Sequence, residues 1–196
     1  MKVACSKGLH IEEKAKELFG IDKELYDSPL ALCTMEEAQC LLSASIYLSG
    51  IQDWSHCRVL THEIIREVDM SLPEEWLYKP SRGAQALLNT LQQHIPVAVA
   101  TSDSREHVKK MFSYWGMQMP VIVTAEDVEK GKPYPEMLLL ACSLMGVRCE
   151  FTVVFGDTQA DIEMAHSANA YAVAVGRSIP QADACVRTLC DVVVEV

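Results

Sequence analysis

Several things are scarce or missing in this chain. No apolar run reaches the ~20 residues that a membrane-crossing helix needs, and the N-terminal MKVACSKGLH lacks the apolar centre of a secretory leader. Both absences point to a cytoplasmic protein. Basic residues are in deficit: 17 Lys and Arg against 27 Asp and Glu leave a net charge of −10. That balance disfavours loose binding to nucleic acid or to an anionic membrane. A phosphorylated small molecule stays open as a partner, because a metal and a few local donors override the global sign. No two of the eight cysteines form a C-x-x-C pair, which argues against a zinc site. Some, such as Cys142, fall on apolar helical positions, and reduced thiols are expected. The chain has no internal repeat, low-complexity tract or long linker.

What remains is an ordinary globular composition, 49% hydrophobic and 22% charged, with enough length for one or two domains around a real core. Residues 11–94 read as successive helices. Ile11, Ala15, Leu18 and Phe19 share one face before Gly20 stops the helix. Thr34 and Glu37 form a capping-box pattern for a helix running to about Leu48. Asp53 or Ser55 starts the next, and Ser81 opens one bearing Ala84, Leu87, Leu88 and Leu91. The pattern changes at Ile95. Short apolar strands, PVAVATS, PVIVTA, TVVFGD, YAVAV and the C-terminal DVVVEV, alternate with helical stretches. This predicts an α/β fold: a doubly wound parallel sheet, Rossmann-like, preceded by an all-helical subdomain.

Parallel sheets bind ligands at the carboxyl ends of their strands, and three such ends carry polar groups. Thr101 and Ser102 end one strand and begin a helix, offering hydroxyls and free amides to an anion. Lys132 lies between Gly131 and Pro133 on a stiffened loop. Asp157 ends the strand before the next helix, and Asp161 is one helical turn on. Two carboxylates at a sheet mouth suit magnesium, although acidic residues at a helix start also serve simply as caps. His107 and His166 lack metal-ligand spacing, and Trp54, Trp76 and Trp115 are expected to pack.

In this order these segments resemble the motifs of the haloacid dehalogenase (HAD) superfamily of phosphatases and phosphomutases. VAVATSDSREHVKKMF is similar to its second motif, EKGKPYPEMLL to its third and VVFGDTQADIEMAHSANA to its fourth. The resemblance implies phosphate binding by Thr101, Ser102 and Lys132, and magnesium binding by Asp157 and Asp161. It also implies that residues 11–78 are a helical cap and 79–196 the HAD-like core. The block preceding the core is similar in size and position to the cap of phosphoglycolate-phosphatase-like and β-phosphoglucomutase-like members. A small phosphorylated metabolite would be the partner; the resemblance leaves substrate and oligomeric state open.

The family's first motif, DxDG, is not in this chain, and no D-x-D occurs anywhere in it. In the family its first Asp attacks phosphorus and its second serves as acid and base. Without it a magnesium ligand and the central strand of the sheet are also missing, leaving neighbouring strands with unpaired backbone groups. Three accounts follow. Residues 1–10 form a degenerate central strand of a silent relative, with Cys5 and Lys7 in place of the two Asp. Alternatively, the chain is an N-terminally shortened form of an active enzyme. Lastly, Cys5, near Lys7, is a substitute nucleophile.

Overall fold

A computed structural model describes residues 2–21, 28, 29 and 33–195. The chain divides into two compact units, Met1–Leu77 and Tyr78–Val196.

The described part of the first unit is helical. It contains α1 (Lys2–Ser6), α2 (Glu12–Phe19), α3 (Met35–Leu48), α4 (Trp54–Ser71) and the short α5 (Glu74–Leu77). Gly20, in the left-handed region at φ 69°, ends α2. Thr34 starts α3 with both bonds of the capping box, and the Asp53 carboxylate caps α4 by accepting from the His56 amide. Ala4, Leu9, Ile11, Ile46, Cys57 and Ile64 form the unit's core. The expected strand over residues 1–10 is therefore corrected. Lys2–Ser6 is helical; the Ser6 hydroxyl donates to the Val3 carbonyl, and Leu9 N–H donates to Ala4 O at 3.0 Å. Burial of Ala4 with Leu9 and Ile11 favours that turn over an extended segment. Lys7 is committed to Glu63 and Glu67 of α4, at 3.1 and 2.6 Å. The Cys5 side chain lies outside what the structure describes, as does Val196. Trp76 is 72% exposed and does not pack as expected.

The second unit runs α6 (Ala84–Leu91), β1 (Ala98–Thr101), α7 (Arg105–Trp115), β2 (Val121–Thr124), α8 (Glu136–Met145), β3 (Val153–Gly156), α9 (Gln159–Ser167), β4 (Tyr171–Val175) and β5 (Ala184–Val186). Helix α6 begins after Gly83 rather than at Ser81: Gly83, at φ 89°, sits against Leu189 and Cys190, and an added Cβ would lie 2.5 Å from the Cys190 nitrogen. The C-terminal strand expected over Asp191–Val196 is also corrected. The fifth strand is Ala184–Val186, and Thr188 and Asp191 then bond reciprocally and turn the chain into a 3-10 helix. No helix among the described residues is long and apolar enough to cross a membrane.

Among the described residues all strand pairs are parallel, as predicted, but they fall into two sheets: β1-β2, and β3-β4-β5. One core serves both. Ala98, Ala100, Val121 and Val123 of the first sheet and Val154, Ala172 and Ala174 of the second pack with α8 and α9. The opposite side of the first sheet, Val99 and Ile122, packs on α7 through Val108 and Phe112.

These faces fix the strand order. Parallel crossovers are right-handed. The β1–α7–β2 crossover uses one face, whereas β2–α8–β3 and β3–α9–β4 use the other. Changing face at constant hand reverses the direction of travel across the sheet. The chain therefore returns past β1, giving the order β5-β4-β3 on one side and β1-β2 on the other. The reversal, or topological switch point, falls between β3 and β1, where no described strand pairs with either free edge.

Candidate functional site

Crevices for ligands form at such switch points, outside the carboxyl ends of the strands. Here the flanking strand ends are Thr101 of β1 and Gly156 of β3, so the topology brings the sequence-predicted residues to one end of the sheet. Thr101 stands in register with Thr124 at the end of β2. Its hydroxyl accepts from Asp103 N–H at 3.1 Å, which tightens the turn into α7. Ser102 lies in the same turn and is half-buried.

The loop after β2 carries Lys132, whose peptide bond to Pro133 is cis. Lys132 Nζ donates to Asp161 Oδ1 at 2.7 Å. Asp161 belongs to the first turn of α9, where Thr158 is the N-cap, and the two close a capping box. The other Asp161 oxygen, Oδ2, accepts from Asp157 N–H at 3.2 Å, Thr158 N–H at 3.1 Å and the Thr158 hydroxyl at 2.7 Å. Asp161 is only 6% exposed. Burial pushes its carboxyl upward, but the Lys132 ammonium and the Thr158 bonds outweigh burial and hold it below the usual carboxylate range. Gly156 permits this packing, since a Cβ there would fall 2.2 Å from the Asp161 Cβ.

Asp157 differs in kind. Its backbone is clamped on both sides: its N–H goes to Asp161, and its carbonyl accepts from Arg177 Nε at 3.0 Å. Its side chain is exposed, and the carboxylate makes no hydrogen bond or ion pair among the described residues. The structure thus links Lys132, Asp161 and Asp157 directly. Thr101 and Ser102 share their end of the sheet without a bond to those three.

A hard cation fits Asp157, a fixed backbone with an uncommitted carboxylate; magnesium commonly takes one or two protein carboxylates and leaves other positions to water and phosphate. Asp161 has both oxygens engaged. Among the described residues, no group of three or more His, Cys, Asp or Glu is placed to hold a metal. Anion chemistry fits Lys132, because an ammonium has three donors and Asp161 uses one.

Sequence reasoning missed Arg177 and the pair formed by Asp103 and His107. Arg177 follows the β4 strand after Gly176 and reaches across to the β3 loop. A cation directly after a parallel strand was the available signal. His107 Nδ1 is hydrogen-bonded to the Asp103 carboxylate, one helical turn apart across the start of α7.

Comparisons with known proteins bear on the family and the fold. A family model described as haloacid dehalogenase-like hydrolase matches residues 40–175. The chain is 35% identical over 107 residues to the chloroplastic 5-amino-6-(5-phospho-D-ribitylamino)uracil phosphatase of Arabidopsis thaliana, covering 53% of this chain and 29% of that protein. It is 33% identical over 118 residues to validoxylamine A 7'-phosphate phosphatase of Streptomyces hygroscopicus subsp. limoneus, covering 56% and 55%. The chain therefore spans about half, or less, of the length of these curated relatives. Among solved structures, β-phosphoglucomutase from Clostridium difficile superposes with a TM-score of 0.63 at 18% identity, over 96% of this chain and 81% of that one. A predicted phosphoglycolate phosphatase from Haemophilus somnus gives 0.63 at 17%, over 81% and 75%. At such identities the likeness is one of fold.

Proposed function

The chain belongs to the haloacid dehalogenase-like hydrolase family, and from that premise we propose that it holds a small phosphate ester at the carboxyl ends of β1 and β3 without opening the ester itself. Thr101 and Ser102 would supply hydroxyl and amide donors to the phosphate, and Lys132 an ammonium already fixed by Asp161. Asp157 would hold magnesium, which when bound shares the phosphate charge; Asp161 would stand behind it, locking Lys132 and the Asp157 backbone together. The helical residues 11–78 would act as the cap and 79–196 as the core.

The carrying observation is the bonded path from Lys132 through Asp161 to Asp157, which ties the loops after β2 and β3 at the switch point. The part of the proposal that denies turnover rests on the sequence given. Thr101, Lys132 and Asp157 position and neutralise a phosphate, but no D-x-D supplies an attacking carboxylate with its acid–base partner. A non-catalytic, regulatory phosphate binder is the form of this reading that the residues favour. A shortened version of an active phosphatase shares the same pocket.

Thermal unfolding with inorganic phosphate and magnesium, paired with an aryl phosphate hydrolysis assay, tests this. Ligand at about 100 times its Kd is expected to stabilise by about 2.7 kcal/mol. Lys132→Ala and Asp157→Asn should each abolish the gain, and the aryl phosphate should stay intact. Hydrolysis that disappears in both variants would defeat the silent reading. An unchanged midpoint in the wild-type chain would defeat the binding reading.

A further inference from the structure

The second unit carries a cleft that the phosphate reading does not use. It has a volume of about 700 Å³ and lies between the segment 133–135, the α9 residues Glu163, His166 and Ser167, and Gln181. Neither Lys132 nor any other residue assigned to phosphate or metal lines it. That size admits a small ligand group together with the chain that carries it.

Each wall is fixed by the fold. Tyr134 N–H donates to Gly131 O at 3.0 Å and closes the turn that bears the two prolines. Ile162, Met164 and Ala165 anchor α9 in the core, which turns Glu163, His166 and Ser167 outward. Ala182 N–H donates to Ile179 O at 3.0 Å, and Ile179 is buried, so the turn holding Gln181 is anchored as well. A site formed in advance loses little freedom on binding.

The polar atoms on offer are acceptors. Glu163 Oε1 accepts from Gln159 Nε2 at 3.0 Å, and Glu163 Oε2 has no hydrogen bond or ion pair among the described residues. His166 Nε2 is bonded to Asp183 Oδ2 at 3.0 Å, and the same oxygen accepts from Ala172 N–H at 2.7 Å. The Ala172 amide and then the His166 ring hold the Asp183 carboxyl below the usual carboxylate range. A carboxylate only accepts, so the proton of the neutral ring sits on Nε2 and Nδ1 is left as an acceptor. Tyr134, 53% exposed, adds an aromatic wall. Lys130 Nζ already lies 5.2 Å from the centroid of that ring, so the ring attracts a cation in this structure.

Acceptors beside a ring and two prolines suit a flat cation. An ammonium is a compact, strongly hydrated point charge, whereas a guanidinium stacks on a ring and donates in its own plane. An anion would meet the Glu163 carboxylate. We propose that this cleft binds a guanidinium group, ion-paired with Glu163, hydrogen-bonded to His166 and stacked on Tyr134. The group belongs either to an arginine of a peptide or to a free alkylguanidine; the chemistry at the cleft is the same. The inference stands apart from the phosphate reading, with which it shares no residue.

The experiment is an NMR titration of the backbone amides of the whole chain with butylguanidinium, butylammonium and butylurea. Butylguanidinium should shift the Tyr134, Glu163, His166, Ser167 and Gln181 amides saturably and bind about tenfold tighter than either analogue. Glu163→Gln, at an exposed position, should weaken it about tenfold, and Tyr134→Leu about threefold. A Gly-Arg-Gly peptide blocked at both ends that binds tighter than butylguanidinium would assign the group to a polypeptide; equal or weaker binding would assign it to a small guanidine. Equal affinity for butylurea, no saturation at these amides, or an unchanged affinity in Glu163→Gln would overturn the inference.

Discussion

Removing the Lys132 side chain isolates the central interaction of the site. Lys132 and Asp161 lie 2.7 Å apart, with side chains 17% and 8% exposed. At an effective dielectric constant of about 20, their attraction is about 6 kcal/mol. Desolvation takes back much of this, and the three bonds to Asp161 Oδ2 survive the loss of the lysine. Lys132→Ala should therefore cost about 3 kcal/mol at pH 7, a fall in Tm of roughly 6–12 °C for a chain of this size. Adding Asp161→Asn removes the stranded charge and should recover about half of that loss. The pH dependence has a definite sign. The folded carboxyl is held below its ordinary value, so the stabilisation is complete above the unfolded pKa of about 4 and is lost as pH falls through the folded one. Without Lys132 the buried carboxyl shifts upward, so the variant should lose most at pH 7 and approach the wild type below pH ~4. Urea unfolding followed by Trp115 fluorescence, in a Trp54→Phe/Trp76→Phe background, reports on the second unit. Equal wild-type and Lys132→Ala midpoints at pH 7, or purely additive single substitutions, would refute the argument.

Two further substitutions separate packing from chemistry. Gly156→Ala places a Cβ 2.2 Å from the Asp161 Cβ; the forced shift should cost about 3 kcal/mol in urea unfolding and weaken phosphate binding with it. Thr34→Ala removes the cap of α3, where the Thr34 hydroxyl accepts from Glu37 N–H and the Glu37 carboxylate accepts from Thr34 N–H. It should lower the stability of the helical unit by about 1 kcal/mol, read by circular dichroism, and leave phosphate binding unchanged.

How far these residues could be read in advance depended on range. The αL glycine stops after α2 and α7, the capping box at Thr34 and the apolar periodicity of α7 are local, and each is written within one or two turns of chain. The same holds for the parallel strands and for the candidate positions Thr101, Lys132, Asp157 and Asp161. The division of labour between the two aspartates was not readable. Their types are identical and their spacing suits either capping or metal binding; packing against Gly156 and Lys132 buries one, while the other's carboxylate stays exposed, without a hydrogen bond or ion pair among the described residues. Arg177 escaped notice for a related reason, since its partner is 20 positions away along the chain.

The ends of the chain show the limit most clearly. Apolar content made MKVACS and DVVVEV look like strands, but a strand needs a neighbour, and neither segment has one in the described structure. The sequence by itself determined most element types, the parallel character of the sheet and the short list of residues proposed to meet a phosphate. Only the tertiary structure decided which face each crossover takes. Through that it decided where the sheet reverses, because strand order depends on contacts between segments far apart in the chain, on which local periodicity carries no information.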